Sequence, residues 1–533
     1  MNRIFTLIFC LITGSLFAQS SYNMTQLGAL SIGNNRYANI WGYAQAGKEY
    51  ALLGCAGSST LNDACAIIDV TTPSSPNLLF KVPGPQSTWR EIRTYGHYAY
   101  ITTEAAGLDF GVTIVDLQYL PDSIRTKQWS ANGLFGNVHA LHIEGDYMYL
   151  YGSNNPLSLG GALIVNISDP WNPVVAGAYN EKYVHDGTVL GNTMYTGEIF
   201  SGTFSIVDVT NKQQPNVIST QQTPNQFTHN TWLSSNNNIL YTTDEVADAY
   251  VAAYDISNPG NIIELDRYKH ANNNRAIPHN TYVLNNPTVT GNNSDYVWTS
   301  YYTVGVTLVD ATKPDNLVEV GHFDCTPLVG DGFQGAWGVY PFLPSGNILV
   351  SDMEQGLFIY DPNYTRASYL EGVVRDKVSS VIIPNASVQL LTNGYLKNGK
   401  IDGSYKTGFV LQGIQRFRFS APGYQSKEID VMLQSAQTVN LDVELEAVST
   451  SVIDEKFKSI NIYPNTFSDL IYADNKSSQT ITAYITDINA RLIKTLTLEN
   501  GINTIELKNI NPGMYFITLQ TSEYSKQIKI IKQ

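Results

Sequence analysis

The chain has 533 residues, of which 43% are hydrophobic and 15% are charged, and its formal net charge is -14. This length predicts several domains, and the composition favours folded modules rich in β-structure. The acidic balance argues against a nucleic-acid partner, because the sequence has no basic stripe to neutralise phosphates.

The N-terminal residues predict an export signal. Residues 1–19 begin with a short basic segment, continue with an apolar stretch and reach a small residue at Ala18. This order is typical of a cleaved signal peptide, and the apolar stretch is too short for a membrane span. We therefore expect an exported mature chain without a transmembrane segment.

Three cysteines remain in the mature chain. Cys55 and Cys65 flank a short loop between two neighbouring predicted strands, and an exported protein meets an oxidising compartment. This arrangement predicts a hairpin disulfide, and two free thiols at the strand ends are the alternative. Cys325 is left without a predicted partner.

Residues 20–365 repeat one phrase seven times: an apolar β-rich triplet, an Asp or Asn, small residues and usually a Pro. Successive acidic positions lie 47, 50, 42, 47, 55 and 51 residues apart, at Asp69, Asp116, Asn166, Asp208, Asp255, Asp310 and Asp361. A period in this range is typical of β-propeller blades with four strands each. We expect a structural role for five of them, which would accept backbone N–H groups in a turn after the strand: Asp69, Asp116, Asp208, Asp255 and Asp310.

The seventh repeat lacks its fourth strand, because no pattern of that kind follows Asp361. The missing pattern stands instead near the start of the chain, in the segment that begins at Met24. We therefore predict that the N-terminal strand completes the seventh blade and closes the ring, which removes exposed sheet edges.

The C-terminal part predicts two smaller β-modules. Residues 366–447 contain short strands separated by Gly and Pro, as in a small β-sandwich. Residues 448–459 are polar and read as a linker, and residues 460–533 contain further strands such as Ile460-Asn-Ile-Tyr and Met514-Tyr-Phe-Ile. The predicted fold is all-β: a seven-bladed propeller, a β-sandwich and a second, C-terminal β-sandwich.

Several of these phrases resemble known families. Copies such as Thr113-Ile-Val-Asp resemble the LVIVD repeat, and the whole propeller resembles the choice-of-anchor B family, a likeness that implies no settled activity. The first sandwich resembles carboxypeptidase regulatory-like domains, which are usually spacers. Residues 460–533 resemble the C-terminal sorting domain of type IX secretion. That likeness implies contact with the secretion machinery and delivery to the surface, or beyond, of a Gram-negative bacterium.

Alignment of the repeats on each other places histidines at one position of the innermost strand in four consecutive units: His139, His185, His229 and His279. The other units carry tryptophan there: Trp41, Trp89 and Trp337. A second position, at the end of the next strand, reads Gly54, Glu104, Ser153, Glu198, Asp244, Tyr302 and Asp352. Because these two strands form an antiparallel hairpin, we expect both rows to face the same mouth of the channel.

Imidazoles and carboxylates that converge on one polar mouth favour a divalent metal such as zinc or manganese, or a general acid/base pair. We predict His139, His185, His229 and His279 as ligands, with Glu198 and Asp244 as candidate catalytic residues. The alternative is that the histidines only hydrogen-bond within their own blades. Asp186 follows a histidine directly, so we expect it on the opposite face of the strand, where it holds the hairpin turn.

These patterns leave three functional hypotheses. The first is a surface or secreted propeller that binds a glycan or another macromolecule at its channel mouth without turnover. The second is a metal-dependent enzyme, such as a polysaccharide lyase or an oxidase, that uses the histidines. The third is a purely structural interaction platform, and propellers as a fold do not decide among the three.

Overall fold

The computed structural model describes residues 21–33, 36–56, 63–105, 107, 110–271, 275–286, 294–448, 455–488, 491–521 and 524–533. The predicted signal peptide and half of the predicted linker lie outside these residues. The chain forms two compact units: the first runs to Ala367 and includes Gly408–Val410, and the second comprises the rest. Within the described ranges, no helix has the length and the apolar character needed to cross a membrane.

The first unit is a β-propeller, in which the described strands form seven antiparallel sheets. Blade one contains β3 Arg36–Gln45, β4 Lys48–Ala56, β5 Asp63–Asp69 and β6 Asn77–Pro83. Blade two contains β7 Ile92–Tyr95, β8 Tyr98–Ile101, β9 Val112–Asp116 and β10 Arg125–Trp129. Blade three contains β11 Ala140–Glu144, β12 Tyr147–Tyr151, β13 Ala162–Asn166 and β14 Val174–Tyr179. Blade four contains β15 Asp186–Leu190, β16 Thr193–Glu198, β17 Thr203–Asp208 and β18 Asn216–Gln222. Blade five contains β19 Thr228–Leu233, β20 Ile239–Asp244, β21 Val251–Asp255 and β22 Ile263–Tyr268. Blade six contains β23 Thr281–Asn285, β24 Asp295–Ser300, β25 Val306–Asp310 and β26 Val318–Phe323. Blade seven contains β27 Ala336–Tyr340, β28 Ile348–Asp352 and β29 Gly356–Pro362. The first strand of each blade contacts the first strands of both neighbouring blades, so these strands line the channel.

The N-terminal strand closes the ring as predicted. Strand β2, Met24–Leu30, pairs antiparallel with β29 and becomes the fourth strand of blade seven. The two residues of β1, Ser21–Tyr22, pair instead with β26 at the outer edge of blade six. The N-terminal segment therefore joins two neighbouring blades.

Both faces of each blade are buried against the neighbouring blades. Along β4, Leu53 packs in a core shared with blade seven, whereas Leu52 packs in a core shared with blade two. Successive side chains alternate between the two faces of a strand, and here both faces are covered. This explains why the repeated strands are continuous apolar runs rather than alternating ones.

The predicted disulfide between Cys55 and Cys65 is wrong, since both thiols are free and buried. Strand pairing places Cys65 opposite Gly54, so the side chain of Cys55 points to the other face of the blade. Cys55 packs towards blade seven and Cys65 packs towards blade two. Cys325 is also a free, buried thiol, as expected, and its Sγ lies 3.6 Å from Asp352 Oδ2.

The repeated Asp has the predicted structural role. In each of the five copies, one carboxylate oxygen accepts a hydrogen bond from the backbone N–H two residues later, at 2.8 to 3.0 Å. The Asp side chain thus provides the hydrogen-bond acceptor that this N–H group of the turn needs. The repeat signature is therefore a folding device and is not part of the channel.

A tight contact between blades depends on Gly28 in β2. A Cβ atom at this position would lie 1.9 Å from the carbonyl oxygen of Pro73, in the turn of blade one. We expect Gly28→Ala to lower the free energy of unfolding by about 1 to 3 kcal/mol, because backbone must move to relieve the overlap. Urea unfolding followed by tryptophan fluorescence measures this, because all seven tryptophans lie in the propeller. Thr25→Ala, at an exposed position of the same strand, is the control, and equal stability of the two variants would contradict the packing argument.

The second unit contains two pairs of sheets. The first pair comprises β30 Ser368–Asp376, β31 Ser387–Leu390, β32 Leu396–Asn398, β33 Ser404–Phe409, β34 Gly413–Ser420, β35 Lys427–Leu433, β36 Thr438–Asn440 and β37 Val443–Leu445. One of its sheets has the strand order β33-β30-β36, and β37 also pairs with β30. The other has the order β32-β31-β34-β35. The second pair comprises β38 Ile460–Tyr463, β39 Thr466–Phe467, β40 Leu470–Asn475, β41 Ile481–Asp487, β42 Leu492–Leu498, β43 Gly501–Glu506, β44 Gly513–Gln520 and β45 Ser525–Lys532. Its two sheets have the strand orders β38-β40-β43 and β39-β45-β44-β41-β42. The fold is all-β, as predicted, and the likeness of the first pair to carboxypeptidase regulatory-like domains stays a prediction.

Candidate metal centre at the channel mouth

The four predicted histidines lie together at the start of the innermost strands of blades three to six. Their ring centroids follow one another at 3.8 Å from His139 to His185, 4.6 Å from His185 to His229 and 4.3 Å from His229 to His279. Because neighbouring blades repeat the same register, equivalent positions come side by side around the channel. We call these four side chains the histidine ring.

Two members of the histidine ring have one ring nitrogen fixed by a hydrogen bond. The Nδ1 atom of His139 lies 2.6 Å from Glu104 Oε1, and the Nδ1 atom of His279 lies 2.6 Å from the carbonyl oxygen of Trp337. An N–H that donates in this way leaves the lone pair on Nε2 available. This is how a carboxylate or a carbonyl orients a metal-binding histidine.

Glu245 is the acid that lies against the middle of the histidine ring. Its Oε2 lies 3.7 Å from His229 Nε2, and its Oε1 lies 3.6 Å from His279 Nε2. The hydroxyl group of Tyr302 donates a hydrogen bond of 2.7 Å to Glu245 Oε1 and holds the carboxylate in place. Tyr302 itself has a positive φ of 34°, a conformation rarely adopted by a bulky residue and often found at functional sites.

Burial keeps most of the histidine ring neutral. It lowers the pKa of His279 to about 3, and burial together with neighbouring imidazoles lowers the pKa of His185 and His229 well below the ordinary value. Burial acts on His139 in the same direction, but the hydrogen bond to Glu104 and nearby carboxylates outweigh it and leave its pKa raised. Burial raises the pKa of Glu245 to about 7. Neutral imidazoles are the form that binds a metal.

The two predicted catalytic acids do not lie with the histidine ring. Glu198 binds Lys182 Nζ at 2.7 Å and accepts hydrogen bonds from threonines of its own blade. Asp244 accepts hydrogen bonds from Thr223 Oγ1 and from two backbone N–H groups of the preceding loop. Both acids are fully buried and hold their own blades together.

A one-residue difference in register explains this result. Glu104 does not align with Glu198 and Asp244 but with the residue after Asp244, which is Glu245. Adjacent residues of a strand point to opposite faces, so a shift of one position moves a side chain away from the channel mouth. Glu245 was missed although it follows the predicted Asp244 directly.

The tryptophans of the other blades also differ from the predicted alignment. In each blade, the residue of the second strand that pairs with the repeated Asp gives a common reference point. Trp41 and Trp232 each pair with the residue two positions after this point, so they are equivalent. Trp41 therefore lies deeper in the channel than the histidine ring. By the same count, Arg90 rather than Trp89 takes the histidine position in blade two, Ala38 takes it in blade one, and Trp337 takes it in blade seven. The histidine ring is thus flanked by one arginine and one tryptophan.

Two further acids lie in the channel next to the histidine ring. Glu91 accepts hydrogen bonds from Asn39 Nδ2 at 2.5 Å and from Arg93 Nη1 at 3.0 Å. Asp186 accepts a hydrogen bond of 2.6 Å from Asn230 Nδ2 in the neighbouring blade, so its predicted role in its own hairpin turn is wrong. Burial raises the pKa of both carboxyl groups.

These two acids share one small cavity with three members of the histidine ring, His139, His229 and His279. It is lined by Trp89, Arg90, Glu91, His139, Ala140, Asp186, His229, His279 and Trp337, and the centre of a water molecule can occupy about 10 Å³ of it. A cavity of this size admits about one free water molecule. It is too small to enclose a sugar ring.

Aromatic side chains fill the channel on the far side of the acids. The rings of Trp41 and Tyr340 are 4.7 Å apart, and those of Trp232 and Tyr282 are 4.8 Å apart. The guanidinium of Arg93 lies 4.2 Å above the ring of Trp41. The cavity is therefore closed on this side and faces solvent at the mouth that carries the histidine ring.

Two overlapping groups in this centre have the spacing of a metal site. The first is His139, His185 and His229, and the second is His229, Glu245 and His279; within each group one ligand atom per residue lies within 4.8 Å of the others. Three imidazoles, or two imidazoles and a carboxylate, are donor sets that bind zinc in proteins.

Comparisons with known proteins agree with the fold and with the C-terminal module. The family model of the LVIVD repeat matches residues 62–83 and 135–181, and the family model described as a secretion system C-terminal sorting domain matches residues 461–533. A search of curated proteins finds no match. The predictions of LVIVD repeats and of a type IX secretion sorting domain are confirmed, and the likeness to the choice-of-anchor B family stays a prediction.

Similar solved structures include other propellers. The β-propeller domain of Cps50 (Swd1) from Myceliophteria thermophila is 12% identical, with a TM-score of 0.42 over 63% of this chain and 99% of that one. The WD40 propeller domain of Doa1 is 13% identical, with a TM-score of 0.44 over 63% and 97%. A candidate 6-phosphogluconolactonase from Bacteroides fragilis is 12% identical, with a TM-score of 0.46 over 71% and 99%.

The protein is thus an exported β-propeller. Its sorting domain directs it through type IX secretion to the cell surface or to the exterior. The sorting domain is also the part of the chain that interacts with the secretion machinery.

Proposed function

We propose that this exported propeller is a metal-dependent enzyme that binds a divalent transition-metal ion in the histidine ring. One observation carries the proposal: four imidazoles lie side by side, three of them line a cavity that admits one water molecule, and hydrogen bonds orient two of the four for coordination. A metal ion at this position acts as a Lewis acid or activates a bound water molecule. Glu245 is the acid next to the histidines, in the place where the sequence predicted Glu198 and Asp244 as candidate catalytic residues.

The donor set favours zinc over manganese. Imidazole nitrogen suits zinc, whereas manganese prefers carboxylate, carbonyl and water oxygens. The candidate ligands are four imidazoles and one carboxylate, that of Glu245. The sequence pattern is compatible with both metals, and the donor types favour zinc.

The size of the cavity constrains the substrate. Because it holds about one water molecule, a substrate lies across the mouth and offers only one of its groups to the metal. The type IX sorting domain places this mouth outside the cell, where large substrates are accessible. A polysaccharide lyase or an oxidase remains compatible with this arrangement.

A second candidate function is recognition of a glycan or another macromolecule at the rim of the mouth. Three aromatic side chains are well exposed there: Trp89 at 42%, Phe200 at 78% and Phe333 at 52%. Trp89 lines the cavity, and ring contacts through Tyr183 and Tyr302 connect the other two to the histidine ring. Exposed aromatic faces of this kind bind apolar faces of ligands such as sugars. In this reading the ligand rests on the rim, outside the cavity.

Elemental analysis of the purified full-length protein tests the metal proposal. We expect about one equivalent of zinc or more in the parent and none in the variant His185→Ala, His229→Ala, His279→Ala. His97→Ala, which removes a half-exposed histidine that pairs with Asp116, should keep the metal. A parent protein without metal after incubation with zinc, and with stability unchanged by zinc, would rule the proposal out and leave the rim as the site to study.

We also infer the final location from the sorting domain. Export across the outer membrane of a Gram-negative bacterium ends with the propeller either attached to the surface or released. Fractionation of cells into surface, periplasm and medium distinguishes these outcomes, and retention in the periplasm would contradict the inference.

A further inference from the structure

We propose that the histidine ring holds two metal ions, bridged by the imidazole of His229. This inference rests on the proposed function, because it concerns how many ions the same centre binds. It follows from the fact that the two groups of ligand atoms share His229 and have no other member in common. Each group by itself has three donors, as many as a catalytic zinc site takes from the protein.

The first subsite lies between His139, His185 and His229. The ring centroids of neighbouring members are 3.8 and 4.6 Å apart. Glu104 occupies Nδ1 of His139, so the other nitrogen of that ring is the one available to an ion. An ion here has a carboxylate in the next layer, as zinc sites commonly do.

The second subsite lies between His229, His279 and Glu245. Here the contacts involve Nε2 of both histidines, each of which lies within 3.7 Å of a different oxygen of Glu245. The Nδ1 atom of His279 is held by the carbonyl oxygen of Trp337. The hydroxyl of Tyr302 holds the carboxylate itself, so hydrogen bonds orient two of the three donors, His279 and Glu245.

His229 is the one residue common to both groups, so the proposed bridge uses one of its nitrogens for each ion. Its Nε2 faces Glu245, and its Nδ1 makes no hydrogen bond to any described residue although the side chain is only 3% exposed. A buried polar atom without a partner costs free energy, and a second ion at Nδ1 removes this cost. When both nitrogens bind metal, the imidazole loses its N–H proton to solvent and becomes an imidazolate.

The charges around the centre are suited to two dications. Glu104 and Glu245 contact the histidine ring, and Glu91 and Asp186 line the same cavity. Four carboxylates and the imidazolate carry five negative charges, which offset most of the six positive charges of two divalent ions, Arg90 and Arg93 together. Arg93 compensates Glu91 and Asp186 on its side of the channel, and a bound cation would compensate the buried Glu245 in the same way.

Metal stoichiometry tests the inference. The full-length protein is stripped of metal, reloaded with zinc, dialysed and analysed for bound zinc per chain. We expect about two equivalents in the parent, about one in Glu245→Gln, about one in His139→Gln and none in His229→Ala. Circular dichroism and the unfolding midpoint verify that each variant is folded.

The possible results separate the two proposals. One equivalent in the parent, lost in every variant, would show a single ion and overturn the bridge while the proposed function stands. Absence of zinc from the parent would overturn both. Glu319→Gln, a largely buried glutamate outside the channel whose side chain is 13% exposed, is the matched control and should keep the parent stoichiometry.

A spectroscopic test needs no variant for its main result. Two Cu²⁺ ions joined by an imidazolate are exchange-coupled, so the parent loaded with copper should show an electron paramagnetic resonance signal far weaker than two isolated ions give. Glu245→Gln should restore the signal of one isolated ion. Two full, uncoupled signals in the parent would mean that His229 does not bridge the ions.

Discussion

Replacement of Arg93 by alanine is expected to lower the free energy of unfolding of the propeller by about 3 to 5 kcal/mol. Arg93 is only 4% exposed, and its guanidinium donates a hydrogen bond to Glu91 and packs on the ring of Trp41. Without it, Glu91 and Asp186 would be left in the channel with no cation on that side. Breaking one partner of a buried charge cluster costs this much because an uncompensated charge stays behind. Urea unfolding monitored by tryptophan fluorescence measures the loss.

The matched control for Arg93 is an arginine in an exposed ion pair. Arg275 lies 2.9 Å from Asp331, and the two side chains are 66% and 55% exposed. Arg275→Ala should change stability by less than about 1 kcal/mol, because solvent screens such pairs. Equal effects of the two substitutions would contradict the view that the Arg93 cluster stabilises the channel.

Glu319 is expected to make the stability of the propeller depend on pH. Its carboxylate lies between the blades, where Tyr22, Tyr268 and His270 contact it. Burial raises its pKa from 4.5 to about 8, so the folded protein keeps a proton that the unfolded chain releases above pH 4.5. The contribution of Glu319 to stability is therefore complete below pH 4.5 and is lost as the pH rises towards 8. Through this one group, the free energy of unfolding falls by at most about 1.4 kcal/mol for each pH unit.

Glu319→Gln isolates this effect, because glutamine resembles the protonated side chain at every pH. The difference in unfolding free energy between parent and variant should fall steadily between pH 5 and pH 8. Burial lowers the pKa of the neighbouring His270 and His322 to about 3 and about 4, so these groups give the opposite slope. They are present in both proteins and largely cancel in the comparison. Parallel stability curves would show that Glu319 has no raised pKa in the folded protein.

Failures of the sequence-based predictions share one cause. Alignment of the repeats located the hairpins well but did not fix the register within each hairpin to a single residue. The prediction of Trp41 at the histidine level is off by three residues, and the prediction that Glu198 and Asp244 face the mouth is off by one. Cys55 and Cys65 are close along the hairpin but point to opposite faces. In a strand, an error of one residue reverses the direction of a side chain.

The sequence by itself determined the all-β fold, the closure of the ring by the N-terminal strand, the structural role of the repeated Asp, the secretion sorting domain and the proximity of the four histidines. The sorting domain follows from resemblance to a known family, and the other four follow from periodicity or from local phrases, which are properties of the chain in one dimension. The tertiary structure alone decided that Glu245 lies against the histidines, that Glu91, Arg93 and Asp186 share the channel, and that aromatic rings close it. These groups come from different blades, so their contacts depend on how the blades pack around the axis and not on any spacing along the chain.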